Sequence, residues 1–175
     1  MLGTKQLGTS AHRLGVLSGQ LKADAVASRQ PQEGVYHAAR LQPGDDLKQA
    51  LLSLLKNAKA QAMAVVTCVG SLRTVHLRLA GASATSSGKT LNLEGRYEVV
   101  SLVGTIGSGE QGGEPSCHLH ISIGDEDGAV VGGHISGPCE VLTTAEVVLL
   151  ELPGLIFNRV MDSQTGFKEL CIERR

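Results

Sequence analysis

The sequence predicts an α+β domain in which a mostly antiparallel β-sheet packs against one main helix. Three observations support this class. One early segment carries leucine and alanine at helical spacing, whereas most of the later chain shows the alternating or continuous apolar pattern of strands. Glycine occurs 22 times, which provides for many turns. Only 2% of the residues are aromatic, so the core must be built from aliphatic side chains, and clustered valine and isoleucine favour strands.

The first predicted elements are a strand and a helix. GVYHAARL reads as a strand, and Pro43 and Gly44 end it. The segment DDLKQALLSLLKNAKAQ is the clearest helix, because one apolar face repeats at i, i+3, i+4 and i+7. That face consists of Leu47, Ala50, Leu51, Leu54, Leu55 and Ala58. Asp45 is the predicted N-cap, and Asp46 adds negative charge near the positive end of the helix.

The rest of the chain reads as strands separated by polar, glycine-rich turns. MAVVTCV is continuously apolar and predicts a central strand, and RTVHLRL alternates, with Val75, Leu77 and Leu79 on one face. Further strands are predicted in GRYEVVSLVGTIG, CHLHISI, AVVGGHI and PCEVLTTAEVVLLEL. LIFNRVMD and FKELCIE, joined by SQTG, are typical of a closing hairpin.

One domain, residues 34–173, accounts for these elements. Residues 1–33 differ from it, because they are rich in Ser, Thr and Gly and carry no acidic residue before Asp24. They predict a flexible N-terminal tail or an organelle transit segment, and they lack the continuous apolar run of a secretory signal.

The overall charge is nearly balanced, with a formal net charge of −1 and a pI of about 6.6. No global basic field therefore attracts this chain to nucleic acid, so DNA is a partner that the charge does not favour. No apolar stretch reaches the roughly 18–20 residues needed to span a membrane, so no membrane partner is expected.

The chain has four cysteines, and none of them forms a CxxC pair. They are Cys68, Cys117, Cys139 and Cys171. Their wide spacing argues against a structural zinc knuckle and favours reduced thiols in an intracellular protein. A cytoplasmic location is therefore favoured, and mitochondrial and nuclear locations stay open.

The stretch CHLHISIGDEDGAVVGGH contains three of the six histidines. His118 and His120 are two residues apart on a predicted strand, so their side chains share a face. If Ile123 pairs with Ala129 across the GDEDG turn, His118 lies opposite His134 and His120 lies on the diagonal. All three imidazoles would then converge on one face, whereas a slip of one residue would move His134 to the other face.

Three converging imidazoles suit a divalent metal, and zinc fits best, because three protein ligands leave a fourth position for water or substrate. A water in that position can ionise near neutral pH. A nearby carboxylate would orient a ligand or move protons, and Glu98, Asp125 and Asp127 are candidates by type. Two other interpretations stay open on the residues alone: a polar, solvent-facing strand, and catalysis without a metal.

Two stretches resemble the signatures of a known family. EGRYEVVSLVGTIG, residues 94–107, is similar to the first signature of the PPC (plant and prokaryote conserved) domain, and GAVVGGHISGPCEV, residues 128–141, is similar to the second. The resemblance covers about residues 34–173. It implies an α+β fold with a mostly antiparallel sheet packed on a helix, and assembly as a homotrimer.

The same resemblance separates two forms of the family. In plants the domain follows AT-hooks in nuclear DNA-binding proteins, where it serves assembly and partner contacts. This sequence contains no R-G-R-P AT-hook and keeps the three histidines, which is similar to the stand-alone prokaryotic members. The histidines of those members look like a metal site near a subunit boundary.

The favoured expectation is a homotrimer that holds a divalent metal, zinc by preference, for ligand binding or an uncharacterised reaction. Its ligands would be His118, His120 and His134, and Arg96 and Glu98 would support or line the site. Whether the protein is an enzyme stays open.

The alternative expectation is a DNA-associated or protein-assembly module of the AT-hook/PPC type. It would use a local basic patch, for which Arg73, Arg78 and Arg96 are the candidates. Such a module would bind DNA with an affinity that falls as salt is added.

Overall fold

A computed structural model describes residues 33–83, 85–109 and 113–175. The predicted tail, residues 1–33, lies outside these ranges except for Glu33. In chain order the elements are β1 (Val35–Leu41), α1 (Leu47–Ala58), β2 (Ala62–Arg78), β3 (Thr90–Gly107), β4 (Ser116–Gly124), β5 (Val130–Glu151), β6 (Leu155–Met161) and β7 (Lys168–Arg174). One helix and seven strands make the described part an α+β domain, as predicted. Within these ranges, no helix has both the length and the apolar character needed to cross a membrane.

Five of the strands form one antiparallel sheet in the order β1-β5-β2-β3-β4. Because β4 also pairs with the beginning of β5, the sheet closes on itself through β5, β2, β3 and β4. Strand β5 is 22 residues long and is continuous through AVVGGHI and PCEVLTTAEVVLLEL. Its register against β2 shifts between Ile135 and Cys139, where Pro138 cannot donate to the ladder.

The beginning of helix α1 corrects the predicted N-cap. The cap is Asp46, whose carboxylate accepts hydrogen bonds from the backbone N–H of Gln49 at 2.8 Å and of Cys139 at 2.9 Å. Asp45 instead accepts from the backbone N–H of Gln42 at 2.7 Å, before the helix begins. By residue type alone, either of the two adjacent aspartates could cap the helix. The contact of Asp46 with Cys139 of β5 decides between them.

The core lies between α1 and the inner face of the sheet. Leu47, Leu51 and Leu55 of the helix are buried, and so are Val75 and Leu77 of β2. The largest fully buried side chains are Leu47, Leu51, Leu55, Met63, Leu72, Leu77, Ile106, Leu119, Ile121, Ile123, Leu149 and Val75. All of them are non-aromatic, so the predicted aliphatic core is confirmed.

The hairpin of β6 and β7, which the sequence predicts, lies against β2 and β3. The backbone N–H of Phe157 donates to the Gln61 carbonyl at 3.1 Å. Any side chain at Gly107 would overlap the Phe157 carbonyl oxygen, so glycine permits this close approach. Arg159 Nη2 donates to Thr105 Oγ1 at 2.9 Å, which places a β6 side chain above β3. The hairpin therefore covers part of the outer face of the sheet beside β4.

Candidate metal centre

The three predicted ligands meet on the outer face of the hairpin formed by β4 and β5. The register pairs Ile123 with Val131, so the predicted pairing of Ile123 with Ala129 is wrong by two residues. Because a shift of two keeps every side chain on its face, His134 still shares a face with the two histidines of β4. The shift places His120 directly opposite His134 and the other β4 histidine on the diagonal.

The turn between β4 and β5 explains this register. The Asp125 carboxylate accepts hydrogen bonds from the backbone N–H of Asp127 at 3.1 Å and of Ala129 at 2.8 Å. The Asp125 N–H donates in turn to the Ala129 carbonyl at 3.0 Å. Gly128 has a φ of 81°, in the left-handed region that favours glycine. These contacts close the turn one position later on each strand than the sequence predicts, and they commit the Asp125 carboxylate to the turn.

The three imidazoles are close enough to share one ion. The ring centroid of His118 lies 5.1 Å from that of His120 and 4.9 Å from that of His134. One ring nitrogen from each residue lies within 4.8 Å of the other two. The Nε2 atoms of His118 and His120 are 3.1 Å apart. Two nitrogens bound tetrahedrally to one zinc at about 2.0–2.1 Å would be about 3.3–3.4 Å apart, so His118 and His120 already have nearly this spacing.

The burial of the cluster also fits a metal. His118 and His134 are half-buried, and His120 is exposed. The Nδ1 atom of His134 is buried and has no hydrogen-bond partner in the described ranges. A buried nitrogen without a partner is costly, and an ion or a donor would satisfy it. Three imidazoles with one open side therefore fit a zinc ion that keeps a fourth position free.

Both half-buried imidazoles are uncharged at neutral pH. Burial, and then the nearby guanidinium of Arg78, lowers the pKa of His134 to about 4. Burial and then the guanidinium of Arg159 lower the pKa of His118. Neutral imidazole is the form that binds a metal, so protons compete little for these two residues near pH 7.

Two arginines border the cluster, and the sequence interpretation did not place either of them there. Arg159 of β6 lies with Nη1 3.5 Å from His118 Nδ1. Arg78 of β2 pairs with His134 across the β2–β5 ladder, and its guanidinium carbon lies 5.6 Å from the centroid of the Phe167 ring. The alternation in RTVHLRL puts Arg78 on the outer face. No local signal shows that the β6–β7 hairpin folds back over that face.

The other predicted site residues lie away from the histidines within one chain. Arg96 and Glu98 are exposed on β3. Glu98 pairs with Gly124, which is four residues beyond His120, or roughly 13 Å along the strand. In the described ranges neither side chain comes within hydrogen-bonding distance of a histidine.

The cysteines do not join the cluster. All four are free thiols, with Cys68 and Cys139 buried and Cys117 and Cys171 half-buried. None of them belongs to the group of side chains that could share an ion in the described ranges.

A closed antiparallel sheet, one packed helix and a three-histidine cluster on the outer face define a small α+β domain with a candidate divalent-metal site. Residues 28–153 match the Plants and Prokaryotes Conserved (PCC) domain, and the chain belongs to that family. This match confirms the resemblance seen in the two sequence signatures.

Two relatives illustrate where this domain occurs. The chain is 39% identical over 134 residues to the bifunctional protein GlmU of Synechococcus sp. (strain JA-2-3B'a(2-13)), which covers 77% of this chain and 20% of that protein. It is 30% identical over 113 residues to AT-hook motif nuclear-localized protein 14 of Arabidopsis thaliana, which covers 65% of this chain and 26% of that protein. The chain thus matches about a fifth to a quarter of the length of these relatives.

Two solved structures share the fold. A hypothetical protein from Salmonella cholerae-suis (Salmonella enterica) is 34% identical with a TM-score of 0.73, over 83% of this chain and 98% of that chain. A metal-containing protein from Archaeoglobus fulgidus is 25% identical with a TM-score of 0.71, over 83% of this chain and 99% of that chain. These likenesses confirm the predicted PPC-like architecture.

Proposed function

We propose that this chain is a metal-binding PCC-domain protein, a homotrimer in which His118, His120 and His134 hold one divalent ion, zinc by preference. The observation that carries the proposal is that one ring nitrogen from each histidine lies within 4.8 Å of the other two. The open coordination position would bind a small ligand or support a reaction.

Four further features support a metal at this position, with zinc preferred. Two of the imidazoles are neutral near pH 7, and the buried Nδ1 of His134 lacks a partner. A ligand set made of imidazole suits zinc better than magnesium or calcium, which prefer oxygen ligands. The fold is also shared with the metal-containing protein from Archaeoglobus fulgidus at 25% identity.

An exposed apolar surface supports the assembly of several copies. We call it the valine face, and it consists of Val66 and Val69 of β2 and Val100 and Val103 of β3, which are 52–60% exposed. Val103 pairs with His120 across the β3–β4 ladder, so the valine face borders the histidine cluster. Adjacent exposed apolar side chains are typical of protein interfaces. A subunit contact here would lie beside the metal site.

Arg96 and Glu98 would contribute to the site through the assembly of subunits. They lie on β3, the strand that also carries half of the valine face. A contact between copies at that face would place Arg96 and Glu98 close to the subunit boundary, where we propose that they line the site.

The domain that carries this function extends beyond the family match. The match ends at residue 153, but the β6–β7 hairpin bonds to the sheet through Phe157 and Gln61 and places Arg159 beside His118. We therefore propose residues 34–173 as the functional unit.

Metal content tests the proposal. Tag-free protein that is exposed to zinc at neutral pH and then dialysed is expected to retain about one zinc per chain by mass spectrometry. The variant His118→Ala/His120→Ala/His134→Ala is expected to retain none, because it has lost all three nitrogen ligands. His76→Ala, which removes a half-buried histidine outside the cluster, is the control and is expected to keep the zinc.

Circular dichroism of each variant shows whether the fold is intact. A wild-type protein that retains no zinc would contradict the proposal. So would a folded triple variant that retains as much zinc as the wild type.

A DNA-associated or protein-assembly module is the second candidate. The observation in its favour is the 30% identity to AT-hook motif nuclear-localized protein 14. The net charge of −1 does not favour it. Of its candidate arginines, Arg73 is paired with Glu140 at 3.2 Å, and Arg78 lies over Phe167. Its DNA interpretation predicts binding to duplex DNA that weakens between about 50 and 200 mM salt. Unchanged fluorescence anisotropy of labelled DNA at the lower salt concentration would count against it.

A further inference from the structure

Two guanidinium groups face the histidine cluster without a carboxylate partner. In the described ranges, no Asp or Glu oxygen lies within 4.0 Å of a guanidinium nitrogen of Arg78 or Arg159. Glu169 attracts Arg159 only over a longer distance. A buried or half-buried cation normally has an anionic partner, so this pair of unpaired cations requires an explanation.

Arg159 is held in place by two contacts, but several of its N–H donors have no acceptor in the described ranges. Its Nη2 donates to Thr105 Oγ1 at 2.9 Å, and its Nη1 lies 3.5 Å from His118 Nδ1. Arg159 is half-buried, so part of its hydration is already lost. A guanidinium has five N–H donors, and a single hydroxyl with one distant imidazole satisfies few of them.

Metal binding would remove one of these two partners. A neutral imidazole has one bare nitrogen and one N–H. With a metal on His118 Nε2, the atom that lies 3.1 Å from His120 Nε2, the proton must reside on Nδ1. That nitrogen can then no longer accept a hydrogen bond from Arg159. The metal-bound state therefore leaves the guanidinium in need of a new acceptor.

Arg78 approaches the cluster from β2. Its partner in the β2–β5 ladder is His134, and the Phe167 ring lies 5.6 Å from its guanidinium carbon. An aromatic ring covers a face of the guanidinium and leaves the N–H groups in its plane available. No hydrogen bond to these groups is formed within the described ranges.

A divalent ion would make the local charge strongly positive. Histidines bind a metal as neutral imidazoles and contribute no charge, and the two arginines and the ion repel one another at short range. Glu169 is the acidic residue that offsets part of this charge at Arg159 and His118. A bound anion would relieve the remaining repulsion and supply the missing acceptors at the same time.

We infer that the metal site takes an oxyanion group, a carboxylate or a phosphate, with one oxygen at the open metal position and the others accepting hydrogen bonds from Arg159 and Arg78. This inference rests on the proposed metal site. Guanidinium groups match the geometry of both anions. The exposed side of the cluster, at His120, gives such a ligand access from solvent.

Cobalt(II) is the probe for this inference, because its visible absorption reports changes in its ligands. Protein loaded with Co²⁺ is titrated with inorganic phosphate, and separately with acetate, at constant ionic strength in chloride. At least one anion is expected to change the absorption with saturation and to raise Tm. The same anion is expected to bind metal-free protein about tenfold more weakly, and so to raise its Tm less. The reason is that Arg159 there still has His118 as an acceptor. The anion that binds more tightly distinguishes a phosphate ligand from a carboxylate ligand.

Variants then assign the anion to the two arginines. Arg159→Gln is expected to raise the Kd for the anion about tenfold, and Arg78→Gln about fivefold, while each still binds about one Co²⁺ per chain, at least as tightly as wild type, because a charge that repels the ion has been removed. Arg159→Lys keeps the charge without the fork of donors, and an intermediate Kd is expected; it also serves if Arg159→Gln does not fold. Arg40→Gln removes an exposed arginine from β1, which is the first strand in the sheet order, whereas β4 with His118 and His120 is the last. This variant is expected to bind the anion like wild type.

The outcomes separate this inference from the proposed function. Bound Co²⁺ that responds to neither anion overturns the inference and leaves the metal site standing; a carboxylate from a second copy that already occupies the position would give this result. Equal anion affinities in the wild type and the folded arginine variants overturn it as well. A wild-type protein that binds neither Co²⁺ nor Zn²⁺ overturns the proposed function, and the inference with it.

Discussion

Asp46 joins the helix to the sheet through a single carboxylate. One oxygen accepts from Gln49 N–H at 2.8 Å and caps α1, and the other accepts from Cys139 N–H at 2.9 Å in β5. Strand β5 also carries His134, so Asp46 helps to fix the strand that completes the histidine cluster. Removing the carboxylate leaves two backbone donors without a partner.

Replacing Asp46 should therefore cost more than replacing its neighbour. Asp46→Ala is expected to lower the free energy of unfolding by about 2–3 kcal/mol, of which about 1 is the lost cap and the rest the unpaired Cys139 N–H. Asp45→Ala removes one exposed hydrogen bond to Gln42 N–H and is expected to cost about 0.5–1 kcal/mol. Urea titrations of the two variants measure both values. Equal losses would contradict the assignment of Asp46 as the cap.

The buried thiols should be chemically inert in the folded protein. Burial raises the pKa of Cys68 and of Cys139 to about 11. At pH 8 only about one thiol in a thousand is then ionised, and the thiolate is the reactive form. Mass spectrometry after brief treatment with iodoacetamide is expected to show modification of the half-buried Cys171 before either of them. In urea all four cysteines should react, and fast labelling of Cys68 without urea would contradict the prediction.

At the scale of secondary-structure elements, β3 and β4 approach each other closely where the site is built. Gly104 of β3 has a φ of 148°, and a side chain on it would overlap the carbonyl oxygen of His118. The backbone of β4 at this point therefore depends on the absence of a side chain in β3. The position of a proposed metal ligand is thus controlled by a residue that does not touch the metal.

Gly104→Ala tests this dependence. It is expected to lower the free energy of unfolding by about 2 kcal/mol or more, and to weaken zinc binding by displacing His118. Isothermal titration with zinc and a urea titration measure the two effects. Gly124→Ala is the matched control, because a side chain there would make only an ordinary contact, 3.5 Å from Val100. Wild-type zinc affinity in a folded Gly104→Ala protein would contradict the argument.

The faces of these elements follow from the sequence, but their register does not. The period of two places His118 and His120 on one face of β4 without any tertiary information. The register to His134 depends on which residues close the GDEDG turn, and the side-chain bonds of Asp125 and the left-handed Gly128 decide it. The pattern GDEDG alone is compatible with the predicted pairing of Ile123 with Ala129 and with the observed pairing of Ile123 with Val131.

The arginines beside the histidines illustrate a second limit of prediction from the sequence. The β6–β7 hairpin is predicted from local pattern, yet its docking brings Arg159 to His118, which is 41 residues away in sequence. That docking depends on the fit of the Phe157 carbonyl against Gly107. Such a contact has no local signature, so the histidines could be predicted and the charge around them could not.

At the scale of the whole molecule, the valine face makes the assembly testable. Val69 and Val100 are 60% and 58% exposed, and Val69→Lys/Val100→Lys places two charges in the proposed interface. Sedimentation is expected to show the mass of three chains for the wild type and of one chain for this variant, because buried unpaired charges are strongly unfavourable. Val35→Lys, at a 45% exposed position on β1, two strands away from β2 in the sheet, should remain trimeric. A monomeric wild type would contradict the homotrimer.

Strand β5 also bears on how the protein is made. Its partners β1, β2 and β4 all precede it in the chain, so they leave the ribosome before the strand that joins them. At about 5–20 residues per second, the stretch from residue 124 to residue 151 takes roughly one to five seconds to synthesise. During that interval the nascent sheet has open edges, which can pair with other chains. The sheet can close only after β5 has been made, and the three histidines of the proposed metal site can meet only at that step, because His134 lies on β5.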